Sequence, residues 1–198
     1  MTTGGRRLRK MPVSELTPDQ RALYEQIVDG PRARDRSFAL TDDAGGLEGP
    51  FNAMLLSPGL GAALQAVGSE IRFGGTLSAR EREIAILIVA GAWHSEFEIR
   101  AHEAIARAVG LTRAELDAVS SGQPDQLADG REALVGATAL TLATRADLTD
   151  DEYDTAVGQL GAQALFELST LVGYYSTLAL QLRIFRVPVP PDRPPLPG

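Results

Sequence analysis

The sequence has 198 residues, of which 44% are hydrophobic and 23% charged, with a formal net charge of −7 and no cysteine. Those proportions fit one soluble globular domain with a sizeable core. The acidic balance argues against nucleic acid as the main partner, and the absence of thiols excludes disulfide scaffolds, thiolate metal sites and thiol peroxidase chemistry by this chain's own residues.

Residues 1–15 are basic, with Arg6, Arg7, Arg9 and Lys10 but no apolar run behind them. They read as a flexible, solvated tail rather than a secretory signal. The ordered chain is expected over residues 16–187. Thr17, Pro18 and Gln20 make the first helix start, a capping box with proline at the first position. That helix should carry Leu23, Tyr24 and Ile27 inward and end at Gly30. Residues 31–49 are rich in charge, glycine and turn formers. Arg32, Arg34 and Arg36 there are either solvated or meet an acidic substrate or a neighbouring subunit. Phe51 to Leu56 is apolar apart from Asn52, which either caps a turn or faces a substrate. Ser57-Pro58 opens a helix to Phe73 with Leu60, Leu64, Val67 and Ile71 expected inward.

Ser78 and Glu81 form the next capping box. The residues from Ile84 to Ala90 carry no polar side chain, so the helix they build must be buried on every side. Glu83 stands at the head of this run, where an unpaired carboxylate would be costly. Gly91 to Ser95 should break the helix. A second helix, from near Ser95 or Glu96 to Gly110, aligns Ser95, Glu98 and His102 at i, i+3 and i+7 on one face. Ser95-x-x-Glu98 is also a capping-box pattern, so capping and site roles both stand for these two residues. Trp93 and His94 fall at the break, as hinge and pocket wall.

Thr112 with Glu115 and Thr149 with Glu152 start two more helices. Arg131 to Thr144 makes another, and Ala162 to Phe185 the longest, with Tyr174 and Tyr175 in its middle. Residues 188–198 are a proline-rich tail. No strand pattern occurs, so the expected fold is all-α, a single-domain bundle of about eight helices. The longest apolar run is too short to span a bilayer, and a cytoplasmic protein is expected. His94, Glu98 and His102 have i, i+4, i+8 spacing, but H-E-x-x-H is absent and His94 falls in the break, so no metal site is expected. No phosphate-binding glycine motif or G-x-S-x-G elbow occurs, which leaves a cofactor-free acid–base site.

Glu83, the segment Ser95-Glu96-Phe97-Glu98, and His102 followed by Ala106 and Gly110 resemble the carboxymuconolactone decarboxylase and alkylhydroperoxidase D superfamily. The stretches from Gly49 through Phe51 and Asn52 to Pro58, and Gly173-Tyr174-Tyr175, extend the likeness from Leu16 to Pro190. The peroxidase branch has a CxxC pair where this chain has Ser95 and Glu98. The decarboxylase branch accepts a glutamate at the second of these positions. The resemblance implies that Glu83 and His102 converge as catalytic residues with Glu98, and that Ser95, Asn52, Phe51, Trp93, His94 and Tyr174 lie about the substrate. It implies a cofactor-independent lyase or isomerase acting on a small lactone or conjugated carboxylic acid, and a symmetric homo-oligomer, a trimer or dimer before a hexamer. The alternative is a non-catalytic ligand-binding or scaffold member of the same fold.

Overall fold

Helix α4 (Ala79–Ala92) is the most buried element of the molecule, packed against four helices that follow it in the chain. The computed structural model describes residues 6–31 and 39–189. Around α4 stand α1 (Pro18–Val28), α2 (Phe51–Met54), α3 (Pro58–Phe73), α5 (Glu96–Ala108), α6 (Arg113–Ser120), α7 (Gly130–Arg145), α8 (Asp150–Leu160) and α9 (Ala162–Ile184). The fold is all-α. Among the described residues it has one α-helix more than the sequence suggested, because Phe51–Met54 closes a single turn. The only β feature among the described residues is an isolated bridge between Thr41 and Leu47. No described helix is long and apolar enough to cross a membrane.

Every residue from Ile84 to Ala90 is at most 2% exposed, as an all-apolar helix requires. Each large side chain buried there contributes about 1.5–3 kcal/mol. The ends of α4 are held by polar staples. Ser78 and Glu81 cap its start, and Arg131 reaches Glu81 at 2.6 Å. Arg80 donates to Glu132, Glu115 and the Gly110 carbonyl, tying α4 to α7, α6 and the end of α5. The boxes at Thr17, Thr112 and Thr149 also form.

Helix α3 is turned the other way from the expectation. Leu60 is 62% and Val67 40% exposed, while Gly61, Gln65 and Gly68 are buried. Leu64 and Ile71 are only partly buried. The reason is close packing: a Cβ on Gly61 would stand 2.5 Å from the Met54 carbonyl oxygen, so only the glycine face can lie against α2. Tyr153 in α8 is about half exposed.

The basic N-terminal stretch is tied to the fold at Arg7 and from Arg9 to Met11, while Arg6, Arg7 and Arg9 are themselves exposed. Lys10 pairs with Asp42 and Glu48, the Met11 N–H donates to Asn52 Oδ1, and Asn52 Nδ2 donates to the Arg9 carbonyl. The Arg7 N–H donates to the Phe185 carbonyl. Arg32, Arg34 and Arg36 and the proline-rich residues 190–198 lie outside the described residues.

Candidate active site

The first turns of α4 place Glu83 at the wall between the apolar core and α5, where it is fully buried. Its Oε2 lies 2.7 Å from His102 Nδ1, a hydrogen bond across the two helices. Its Oε1 faces Arg72 Nη1, at the end of α3, at 3.6 Å. One carboxylate therefore sits between a guanidinium and an imidazole, which offsets the cost of burying it. Arg82, beside Glu83 in the chain, is half-buried; burial pushes its guanidinium below its usual value, against the Glu83 carboxylate, which raises it.

On the other side of the ring, His102 Nε2 is 3.5 Å from Glu98 Oε2, one turn back along α5. Glu98 is 3% and His102 8% exposed. If Nδ1–H donates to Glu83, Nε2 holds the lone pair, and its contact with Glu98 is attractive only when one of the two carries a proton. Tyr175 meets the imidazole edge-on at 5.2 Å between ring centroids, and Tyr174 meets Tyr175 at 5.3 Å. Both tyrosines come from mid-α9, which the close approach of α9 to α4 brings to this face.

Glu98 and His102 open onto a half-open pocket whose empty space, counting the solvent at its mouth, is about 610 Å³. Its walls are Leu40, Phe51, Phe97, Ile105 and Leu178, with Arg72 and the two tyrosines. Of the expected substrate residues, Phe51 and Tyr174 line this pocket. Glu83 is brought to His102 but lies behind the pocket rather than on its wall.

Four other expected substrate residues are elsewhere. Asn52 is buried against the N-terminal stretch, with its amide committed to the backbone of Arg9 and Met11. It borders a separate crevice with Leu8 and Lys10. Trp93 ends α4 and is not on the pocket wall; its carbonyl accepts from Arg183. His94 is exposed with φ 51°, and its N–H and that of Ser95 bond back to the Gly91 and Ala90 carbonyls. That is a left-handed helix stop, which turns the side chain outward and removes it from Glu98 and His102. No group of three metal-capable side chains occurs among the described residues. Ser95 is 2% exposed, but its hydroxyl has no hydrogen-bond partner and does not cap α5, so the fifth box does not form.

Arg72 was not singled out, and Tyr175 was named only within the Gly173-Tyr174-Tyr175 stretch. Arg72 could have been found from the helical series Gly61, Gln65, Gly68 and Arg72, a small and polar stripe in an otherwise apolar helix.

Residues 58–132, which carry α3, α4, α5 and α6, match the model of the carboxymuconolactone decarboxylase family. The matched stretch carries Glu83, Glu98 and His102. The fold is similar to an alkylhydroperoxidase AhpD core, an uncharacterized peroxidase-related protein from Ralstonia eutropha JMP134. The TM-score is 0.72 at 15% identity, covering 93% of this chain and 92% of that one. It is also similar to a variant of the debrominase Bmp8 in complex with 2,3,4-tribromopyrrole, with a TM-score of 0.69 at 15% identity, covering 96% and 93%. No curated protein matches. With no cysteine in the sequence, the chain has no thiol of its own with which to reduce a peroxide.

Proposed function

We propose that this protein is a cofactor-independent lyase or isomerase that moves one proton to or from carbon in a small lactone or conjugated carboxylic acid. The observation that carries the reading is His102 held between two buried carboxylates, with its Nε2 and Glu98 on the wall of an apolar pocket. Glu83 fixes the ring and its tautomer through Nδ1. Glu98 and His102 Nε2 are the groups that exchange the proton with substrate. In a decarboxylation, the electrons of the breaking C–C bond pass into the conjugated system as carbon dioxide leaves. The proton on Glu98 or His102 then goes to carbon. In an isomerisation the same pair removes a proton at one carbon and returns it at another. The apolar walls shield both steps from water.

The pocket serves the ligand-binding alternative equally well, and turnover separates the two. Carboxylated γ-lactones and β,γ-unsaturated acids would be followed by ultraviolet absorbance, carbon dioxide release and deuterium uptake in heavy water. Turnover by the native protein that falls about a hundredfold or more in Glu98→Gln is expected. Unchanged turnover in that variant would remove Glu98 as a proton carrier, and no turnover with any compound in the native protein would leave the binding reading in its place.

The reading includes assembly into a symmetric homo-oligomer, a trimer or dimer. The outward apolar face of α3, Leu60, Val67 and Phe73, with Leu56 in the turn before it, supports it, all four being 40% exposed or more.

A further inference from the structure

We infer that Arg72 anchors a substrate carboxylate, and that this carboxylate is retained through the reaction; the inference rests on the acid–base reading of the same pocket. Arg72 is a buried cation with a built position. Its side chain is 9% exposed and lies on the pocket wall with Glu98 and His102. It is delivered there by the inner face of α3, where Gly61 allows the helix to lie close to α2. It is the only lysine or arginine on that wall among the described residues, and most of the wall is aliphatic or aromatic.

The geometry relates the anchor to the proton carriers. Arg72 and His102 touch the two oxygens of one carboxylate, Glu83, so they are separated by little more than its width. A guanidinium offers five N–H donors in a plane and can serve two carboxylates at once. A substrate carboxylate on Arg72 therefore places the carbons one to three bonds away beside His102 Nε2 and Glu98. That is the span of a conjugated acid, whose α- and γ-carbons carry the exchangeable protons.

The anchor also bears on which bond breaks. An ion pair stabilises an ionised carboxylate more than the charge-dispersed transition state in which it becomes neutral carbon dioxide. The group on Arg72 is thus the wrong one to lose. A monoacid held there would undergo proton transfer, and decarboxylation would need a second carboxylate resting against the apolar wall of Phe97, Ile105 and Leu178.

The test uses the full chain with sorbate, a conjugated dienoate, and sorbamide, its neutral counterpart. Binding is read by ligand-observed NMR and calorimetry. Sorbate should bind the native protein roughly tenfold or more tightly than sorbamide, the usual worth of a hydrogen bond to a charged group. Arg72→Met should erase that preference and leave sorbamide unchanged. Arg72→Lys keeps a cation beside Glu83 and decides the matter if the methionine variant does not fold. It should weaken sorbate several-fold and sorbamide not at all. Equal binding of both probes to the native protein, no binding of either at 10 mM, or a preference untouched in both variants would overturn the anchor. Failure of the acid–base reading looks different: His102→Gln would keep full turnover while the Arg72 variants still lost the anion.

Discussion

Substituting His102 by glutamine and by alanine separates proton transfer from packing at one position. The structure places His102 Nδ1 2.7 Å from a Glu83 carboxylate that is 0% exposed. Alanine removes that bond and the edge contact to Tyr175, leaving Glu83 with Arg72 at 3.6 Å. Breaking a buried pair in this way costs about 3–5 kcal/mol. In a domain of this size each kcal/mol shifts the melting temperature by about 2–4 °C, so His102→Ala should melt on the order of 10 °C lower. Glutamine reaches a similar distance and can donate an amide N–H to Glu83. His102→Gln should therefore cost about 1 kcal/mol and only a few degrees. Both variants should lose turnover about a hundredfold or more, because neither side chain exchanges protons near neutral pH. Glu83→Gln should match His102→Gln in rate. Their combination should cost little more than either, since groups acting as one unit are not additive. The assay is turnover on the best compound of the lactone and unsaturated-acid panel, with calorimetric melting of each variant. Full rate in His102→Gln alongside lost stability would make the histidine structural and refute the reasoning.

Ser95→Ala should be neutral or slightly stabilising in urea denaturation, because the buried hydroxyl makes no hydrogen bond to lose; a loss of about 1 kcal/mol would reveal a cap. His94→Gly should raise stability by up to about 1 kcal/mol, since glycine takes the left-handed conformation without strain; a lower midpoint would show that the imidazole makes a needed contact. Asp42 is held below the usual carboxylate range, chiefly by the hydrogen bond from Lys10. Its folded pKa being depressed, that stability is present above about pH 4 and lost as pH falls through the folded value. The native midpoint should thus drop more steeply on acidification than that of Asp42→Asn, and parallel profiles would deny Asp42 the role. Light scattering at micromolar concentration should show an oligomer that Leu60→Glu dissociates, whereas a native monomer would remove α3 as an interface.

Much of the fold is written locally. The boxes at Thr17, Ser78, Thr112 and Thr149 each satisfy N–H groups of their own helix, so three or four adjacent residues specify a helix start wherever it is placed. Ile84 to Ala90 likewise has one solution, burial on all sides. The pairing of Glu83 with His102 was legible only through the family resemblance, since nothing local links residues on two different helices.

What the tertiary structure alone decided is where faces point and which polar groups meet. Leu60 and Val67 have the spacing of a core stripe, but the short distance from Gly61 to the Met54 carbonyl turned that stripe outward. Ser95 and Glu98 have the capping pattern, yet the left-handed stop at His94 sets the backbone so that the serine does not cap. Lys10 looked like part of a solvated tail until Asp42 and Glu48, distant in sequence, were folded against it. Arg72 reached the pocket because α3 packs by its smallest residues. Local chemistry fixes a helix and its ends; the choice of which face is buried is made by the best-packed arrangement of all the helices, and that is a property of no single stretch.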